Sequence, residues 1–200
     1  MIRIGVTGGS GSGKTTVCLA LEKMGIPFLD TDLVSRSVVE PGKPCLKELV
    51  KVFGKRILSK DGSLNRKKTA ELAFSDDRLY AELNRITHAY IKEESFAWLE
   101  EKEKEGLKAA ALDVPLLFES GWDSEMDHVI AVVSPLSLRV SRLMARDGLS
   151  EKEIGLRLSR QHPDEFYTSR ADTVIVNDGD EDSLLRQTEK LLNRLNNKGK

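Results

Sequence analysis

The residues Gly8-Gly9-Ser10-Gly11-Ser12-Gly13-Lys14-Thr15 place glycines, a lysine and a hydroxyl at the spacing G-x-x-x-x-G-K-[ST]. The glycines let successive backbone N–H groups turn inward around a chain of phosphates, and the amino end of a following helix adds partial positive charge. In this pattern Lys14 reaches the outer phosphates and the Thr15 hydroxyl ligates Mg²⁺. Gly9, Ser10, Gly11, Ser12, Gly13 and Thr16 complete the set that would touch a nucleoside triphosphate. A glycine-rich turn with a stray lysine has the same letters, so the flanks decide. The apolar run Ile2–Val6 precedes the loop, and the helical pattern Val17, Leu19, Ala20, Leu21, Met24 follows it. Strand, loop, helix is the context that the motif requires.

Acidic residues follow two further apolar runs. Parallel α/β sheets bind ligands at the carboxyl ends of their strands, and Asp30 and Asp32 come just after Ile26–Leu29. Asp32 suits a general base for an acceptor hydroxyl, whereas Asp30 reads as a helix cap. Asp113 follows Ala109–Leu112, the Walker-B arrangement that positions Mg²⁺ directly or through water; a plain strand-end turn is the bland alternative. Arg139, Arg142 and Arg146 fall at i, i+3 and i+7 on one helix face, and Arg157 and Arg160 follow on the next helix. Two short arginine-bearing helices suggest a mobile lid, because guanidinium brings planar, permanent charge to a transferring phosphoryl group. An ordinary solvated face is the competing reading, and Arg160 fits it. Asn177-Asp178-Gly179 ends the fifth apolar run, where a loop can touch an adenine ring or simply turn. His88 reads as structural from spacing alone. His128 and His162 have no ligand-spaced partners, so no zinc site is expected.

The elements that must position these groups follow from periodicity. Ile2–Val6, Ile26–Leu29, Ala109–Leu112, Val129–Val133 and Thr173–Val176 are short runs, mostly apolar on both faces, as covered parallel strands should be. Their alternation with helical patterns predicts a doubly wound α/β fold: three layers, α/β/α, around a five-stranded parallel sheet. The expected core covers 1–31, 108–135 and 171–196, with a helical acceptor-binding insertion over 32–107 and a lid over 136–170. Pro135 suits the first turn of a helix running to about Arg146. Ser150-x-x-Glu153 is a capping box opening another helix through Gln161. Leu184, Leu185, Leu191, Leu192 and Leu195 form a stripe that should pack on the sheet, and the tail from Asn196 should fray. Pro41-Gly42-Lys43-Pro44 and Lys60-Asp61-Gly62 are turn signals within the insertion. The charge run Glu93–Glu105 is a solvated helix face.

Bulk properties narrow the partners. The 200 residues are 40 % apolar and 32 % charged, which suits a globular domain. Lysine plus arginine is 31 against 32 acidic residues, a net charge of −1, so no overall basic field calls for nucleic acid or an anionic membrane. No apolar run approaches the roughly 20 residues that span a bilayer. Cys18 and Cys45 fit a reducing cytosol better than a disulfide scaffold. The expectation is a soluble cytoplasmic protein, a monomer or small homo-oligomer.

Taken together, the motifs resemble the dephospho-coenzyme A kinase family over nearly the whole chain. The resemblance rests on Ile4–Val17, on Leu29-Asp30-Thr31-Asp32 with Arg36, and on Val39-Glu40-Pro41-Gly42. It continues in Asp61–Arg66, in Leu83-Asn84 with His88, and most specifically in Asp113-Val114-Pro115-Leu116-Leu117-Phe118-Glu119. Arg142, Arg146-Asp147, Arg157 with Gln161, Ala171-Asp172 and Asn177-x-Gly179 complete it. The resemblance implies transfer of the ATP γ-phosphoryl group to the ribose 3′-hydroxyl of dephospho-CoA, with Mg²⁺, as the last step of coenzyme A synthesis. It implies Asp32 as base or hydroxyl-orienting group, and Lys14, Arg142 and Arg146 as phosphate ligands. Asn177 would touch ATP, and Arg36, Arg66, His88 and Asp113 would lie toward the acceptor. Four positions depart from the family pattern. Ala89 stands where proline usually follows the histidine, Thr15 replaces serine, Thr31 replaces a small alanine, and Arg139 replaces glutamine. Another small-molecule kinase would differ mainly in the insertion. A P-loop switch protein would need a guanine-reading Asn-Lys-x-Asp, and Asn177-Asp178-Gly179-Asp180 lacks the lysine.

Overall fold

Short strands that are apolar on both faces need helices on both sides of their sheet. In the computed structural model, which describes residues 1–198, the chain opens with β1 (Ile2–Thr7), α1 (Lys14–Lys23) and β2 (Phe28–Asp30). The helices α2 (Thr31–Ser37), α3 (Pro44–Phe53), α4 (Arg66–Phe74) and α5 (Asp77–Lys104) follow. Then come β3 (Ala109–Asp113), β4 (His128–Val133), α6 (Leu136–Asp147), α7 (Glu151–Leu158), α8 (Asp164–Thr168), β5 (Thr173–Val176) and α9 (Glu181–Lys198). The chain divides into two compact units. One is Met1–Asp30 with everything from Lys102 onward, and the other is Thr31–Glu101.

The first unit carries the sheet. Its strands all run parallel in the order β2-β3-β1-β4-β5. Register pairs Val6 with Asp113 and Asp30 with Asp113, so the carboxyl ends of β1, β3 and β2 stand side by side. Ile4, Val6, Ala111, Ile130 and Val132 are buried, joined by Val17 and Leu21 of α1 and Leu184 and Leu191 of α9. Each of the valine, leucine and isoleucine side chains contributes about 2 kcal/mol through the apolar area it removes from water. The leucine stripe thus packs as its period requires. α9 runs past Asn196, where fraying was expected, to Lys198, and residues 199 and 200 lie outside the described residues.

Several boundaries differ from the sequence reading. β2 begins at Phe28 rather than Ile26: the Ile26 N–H bonds Leu21 O at the end of α1, and Pro27 contributes only its carbonyl, to Ala111 N. The strand consequently includes Asp30. Pro135 is the cap residue just before α6, not its first turn. The Ser150 box does open α7, with Ser150 N–H donating to Glu153 Oε2 at 2.9 Å, but the helix ends at Leu158 rather than Gln161. The separate short helix α8 was not foreseen.

The second unit is helical. Pro44 starts α3, which turns Cys45, Leu46, Leu49 and Phe53 inward. The Lys60-Asp61-Gly62 signal is a turn in which Asp61 accepts from Ser63 N and Gly62 has φ 82°. It supports an isolated antiparallel bridge, Leu58 to Leu64. α5 is continuous over 28 residues, so the helix passes without a break through Ala89, where a proline would have interrupted it.

Candidate active site

The glycine loop joins the central strand β1 to α1. Gly13 caps α1 with φ 97°, and a Cβ there would collide with Asn177 Nδ2. At Gly9 a Cβ would collide with the Arg139 guanidinium. The first N–H groups of α1 have no partner within the helix, which suits them to an anion. Lys14 Nζ donates to Gly8 O at 3.1 Å, folding the lysine back along the loop. Thr15 Oγ1 donates to Asp113 Oδ2 at 3.2 Å. That bond joins the two groups expected to hold Mg²⁺, and Asp113 is only 4 % exposed. A hydroxyl, one buried carboxylate and incoming phosphate oxygens form a hard-donor set that fits Mg²⁺. Among the described residues no group of three or more His, Cys, Asp or Glu converges to hold a metal by itself. Cys18, beneath the loop, is buried; burial first, then the Asp113 charge, push its thiol up, so it is a poor nucleophile.

The arginines of α6 and α7 reach the loop differently from one another. Arg139, 7 % exposed, donates to Ser10 O (2.9 Å), Asp164 Oδ1 (3.1 Å) and Gln161 Oε1 (3.3 Å). Arg142 donates to Gly11 O (3.2 Å), Ser134 Oγ (3.0 Å) and Asn177 Oδ1 (2.9 Å). The Asn177 amide closes this network by donating to Ser12 O at 2.9 Å. Both arginines and Asn177 thus hold loop carbonyls, an arrangement that keeps the carbonyls turned outward. The Asn177 side chain, expected near adenine, is engaged at both ends by the loop and Arg142. Arg146 stands apart, 61 % exposed, with Nε 2.7 Å from Asp147 Oδ1, and Arg157 shares the same carboxylate at 2.7 Å. The hydrogen-bonded Arg146 guanidinium holds the Asp147 carboxyl below the usual carboxylate range.

Periodicity could not reveal what surrounds the loop mouth. A cavity of about 210 Å³ is lined by Lys14, Glu119, Arg160, Gln161, His162 and Tyr167, among others. Arg160, read as a solvated face, lines it. His162 stacks on Phe166 with ring centroids 3.8 Å apart and stands 3.8 Å from Glu119 Oε1. Gln161 contacts Ser10 directly, with Oε1 accepting from the Ser10 N–H. The one hint was its place beside Arg157 in the resemblance.

In the helical unit, Asp32 and Arg36 lie on α2, Asp32 in its first turn and Arg36 in its last. Arg66 and His88 line a second cavity of about 290 Å³ together with Ser35, Asn84 and Thr87. Arg36, Arg66 and His88 are exposed, and among the described residues none forms an ion pair or hydrogen bond through its side chain. Elsewhere, a wider hollow at the amino edge of the sheet is lined by Asp127, His128 and Asp172. Its two carboxylates are already used on Arg3 N and Val129 N, and it is remote from the loop.

A glycine loop on the central strand of a β2-β3-β1-β4-β5 parallel sheet, with Asp113 ending the adjacent strand, places the molecule among the P-loop kinases. The sequence profile described as dephospho-CoA kinase matches residues 2–183, and the chain belongs to that family. Its reaction is the ATP-dependent phosphorylation of dephospho-CoA in coenzyme A biosynthesis. The dephospho-CoA kinase of Corynebacterium efficiens is 45 % identical over 192 residues, covering 96 % of both chains. A solved structure from Thermus thermophilus, 35 % identical, superposes with a TM-score of 0.79 over 97 % of both chains. The dephospho-CoA kinase from Campylobacter jejuni, at 24 % identity, shares the fold with a TM-score of 0.73 over 99 % of this chain and 98 % of that one. No helix among the described residues is long and apolar enough to cross a membrane.

Proposed function

We propose that the γ-phosphoryl group of ATP passes to the ribose 3′-hydroxyl of dephospho-CoA by in-line displacement, completing coenzyme A. The hydroxyl oxygen bonds to the γ-phosphorus as the bond to the β,γ-bridging oxygen breaks, and ADP leaves. Asp32 accepts the hydroxyl proton or orients that hydroxyl. Lys14 leaves Gly8 O for the β- and γ-phosphates, where its charge offsets the negative charge that moves to the leaving oxygen. The inner N–H groups of residues 9–16 cradle the phosphates. Arg142 keeps the loop in shape, and Asn177 supports it. Thr15 and Asp113 would hold Mg²⁺, which would supply charge neutralisation for phosphoryl transfer.

Residues 136–170 form the proposed lid. Arg146 and Arg157 already share an anionic partner in Asp147, so turning to phosphate exchanges one anion for another. Residues 32–107 form the proposed acceptor region, in which Arg36, Arg66 and His88 meet the acceptor diphosphate. The observation that carries this reading is the set of three exposed cationic or protonatable side chains left without ion pairs, two of them on one cavity. Arginine in particular suits bidentate contact with phosphate. Two free buried thiols suit a reducing cytoplasm, our proposed compartment. There the protein would act as a monomer or small homo-oligomer, independent of nucleic acid and membrane.

The test is incubation with Mg-ATP and dephospho-CoA, with products read by mass spectrometry. CoA and ADP in equal amounts are expected; ADP without CoA would move the acceptor elsewhere. In the same assay Asp32→Asn should bind ATP normally while kcat falls by about 10²- to 10⁴-fold, the range for loss of general acid–base help. An unchanged kcat would reduce Asp32 to a capping residue.

A further inference from the structure

Ser10 is held by the lid through three polar atoms. Its N–H donates to Gln161 Oε1 at 2.9 Å, its Oγ accepts from Gln161 Nε2 at 2.6 Å, and its carbonyl accepts from Arg139 Nε at 2.9 Å. Arg139 also donates to the same Gln161 Oε1 at 3.3 Å and to Asp164 Oδ1 at 3.1 Å. Arg139 belongs to α6, Gln161 follows α7, and Asp164 begins α8. Two of these segments therefore meet at one residue of the glycine loop, and the third is tied to them through Arg139. Gln161 faces the cavity that Lys14 also lines. The N–H groups of such a loop serve phosphate oxygens, and a single N–H is one donor. An amide oxygen on Ser10 N–H therefore competes with a phosphate oxygen for the same proton.

We infer that Gln161 is a positioning residue that exchanges with phosphate at Ser10. Its amide grips the loop tip until a phosphate oxygen takes the Ser10 N–H, so arrival of the nucleotide is coupled to movement of the lid through Arg139 and Asp164. The inference rests on the phosphate-binding role proposed for the loop. The Gln161 amide opposes phosphate binding, because binding breaks its bond to Ser10. It supports transfer, because its release tells the lid that phosphate is present. Removing it therefore spares or raises affinity while lowering turnover. A residue that only held the fold together would weaken both.

The experiment compares wild type, Gln161→Ala and Gln161→Glu by calorimetric titration with Mg-ATP and by steady-state turnover of dephospho-CoA. Gln161→Ala is expected to bind Mg-ATP as tightly as wild type or up to about tenfold tighter, while kcat falls about tenfold or more. Gln161→Glu keeps an acceptor for the Ser10 N–H and gains attraction to Arg139, so Mg-ATP should bind about tenfold more weakly. In wild type, Mg-ATP should also shift the ¹⁵N resonance of the Gln161 side-chain amide, a readout that needs no variant to fold. Three results overturn the inference: weaker ATP binding by Gln161→Ala, an unchanged kcat in that variant, or an unmoved amide resonance. A wild-type protein that binds no Mg-ATP would instead overturn the phosphate-loop reading itself.

Discussion

Lys14 and Arg142 bring positive charge to one loop by different routes. Lys14 reaches along it to Gly8 O, and Arg142 binds the Gly11 carbonyl. A lysine ammonium on a flexible stem can swing from that carbonyl to a phosphate. A guanidinium that donates to two carbonyls, a hydroxyl and an amide is pinned in place. The mobile charge should therefore carry the larger share of transition-state stabilisation, and the pinned one should maintain the loop. Lys14→Ala is expected to lower kcat by about 10²- to 10³-fold or more, the range seen when one preorganised charge-stabilising donor is lost. Its circular dichroism and melting temperature should stay close to wild type, because the lysine is no part of the hydrophobic core. Turnover within a factor of a few of wild type would contradict this assignment.

At the scale of elements, α7 depends on its first turn. It has only eight residues, too few for a stable helix alone, and the box Ser150–Glu153 satisfies donors at its amino end. Ser150→Ala should cost about 1 kcal/mol, the usual worth of such a cap. The loss should appear locally, as faster hydrogen exchange over 151–158, with the sheet amides unchanged; unchanged exchange over 151–158 would exclude the box as what orders α7. The capping box was legible because its two side chains are three residues apart. The sheet was legible for a similar reason, since each buried parallel strand is a short apolar run between helical patterns. The end of α7 was not legible. Ser159, Arg160 and Gln161 continue a polar helical pattern; Pro163 limits how far the helix can run, but the contact of Gln161 with Ser10, 151 residues away, leaves no local signal. The same limit applied to Arg139. Spacing put it on one face with Arg142 and Arg146, but the shape of the folded loop decides which arginine is buried.

Across the whole molecule, each compact unit contains one buried, unbridged thiol, Cys18 in the sheet unit and Cys45 in the helical unit. Burial raises both. The Cys18 thiol lies well above its ordinary value, and burial followed by the Glu48 and Glu94 charges brings Cys45 to about 11. A thiol that stays neutral when folded but can ionise when unfolded binds more protons in the folded state. The stabilisation from keeping it neutral is complete below the ordinary thiol value near 9, and it is lost as pH rises from there toward 11. The melting temperature should therefore fall between those limits. Cys45→Ala provides the control, because deleting a small buried side chain lowers the whole curve by roughly 1 kcal/mol without adding a pH slope. Its curve should run below wild type at neutral pH and decline less steeply above pH 9. If the two curves stay parallel through that window, ionisation of Cys45 contributes nothing to alkaline unfolding, and the decline comes from other groups that burial keeps neutral, such as the Cys18 thiol and the Tyr167 phenol.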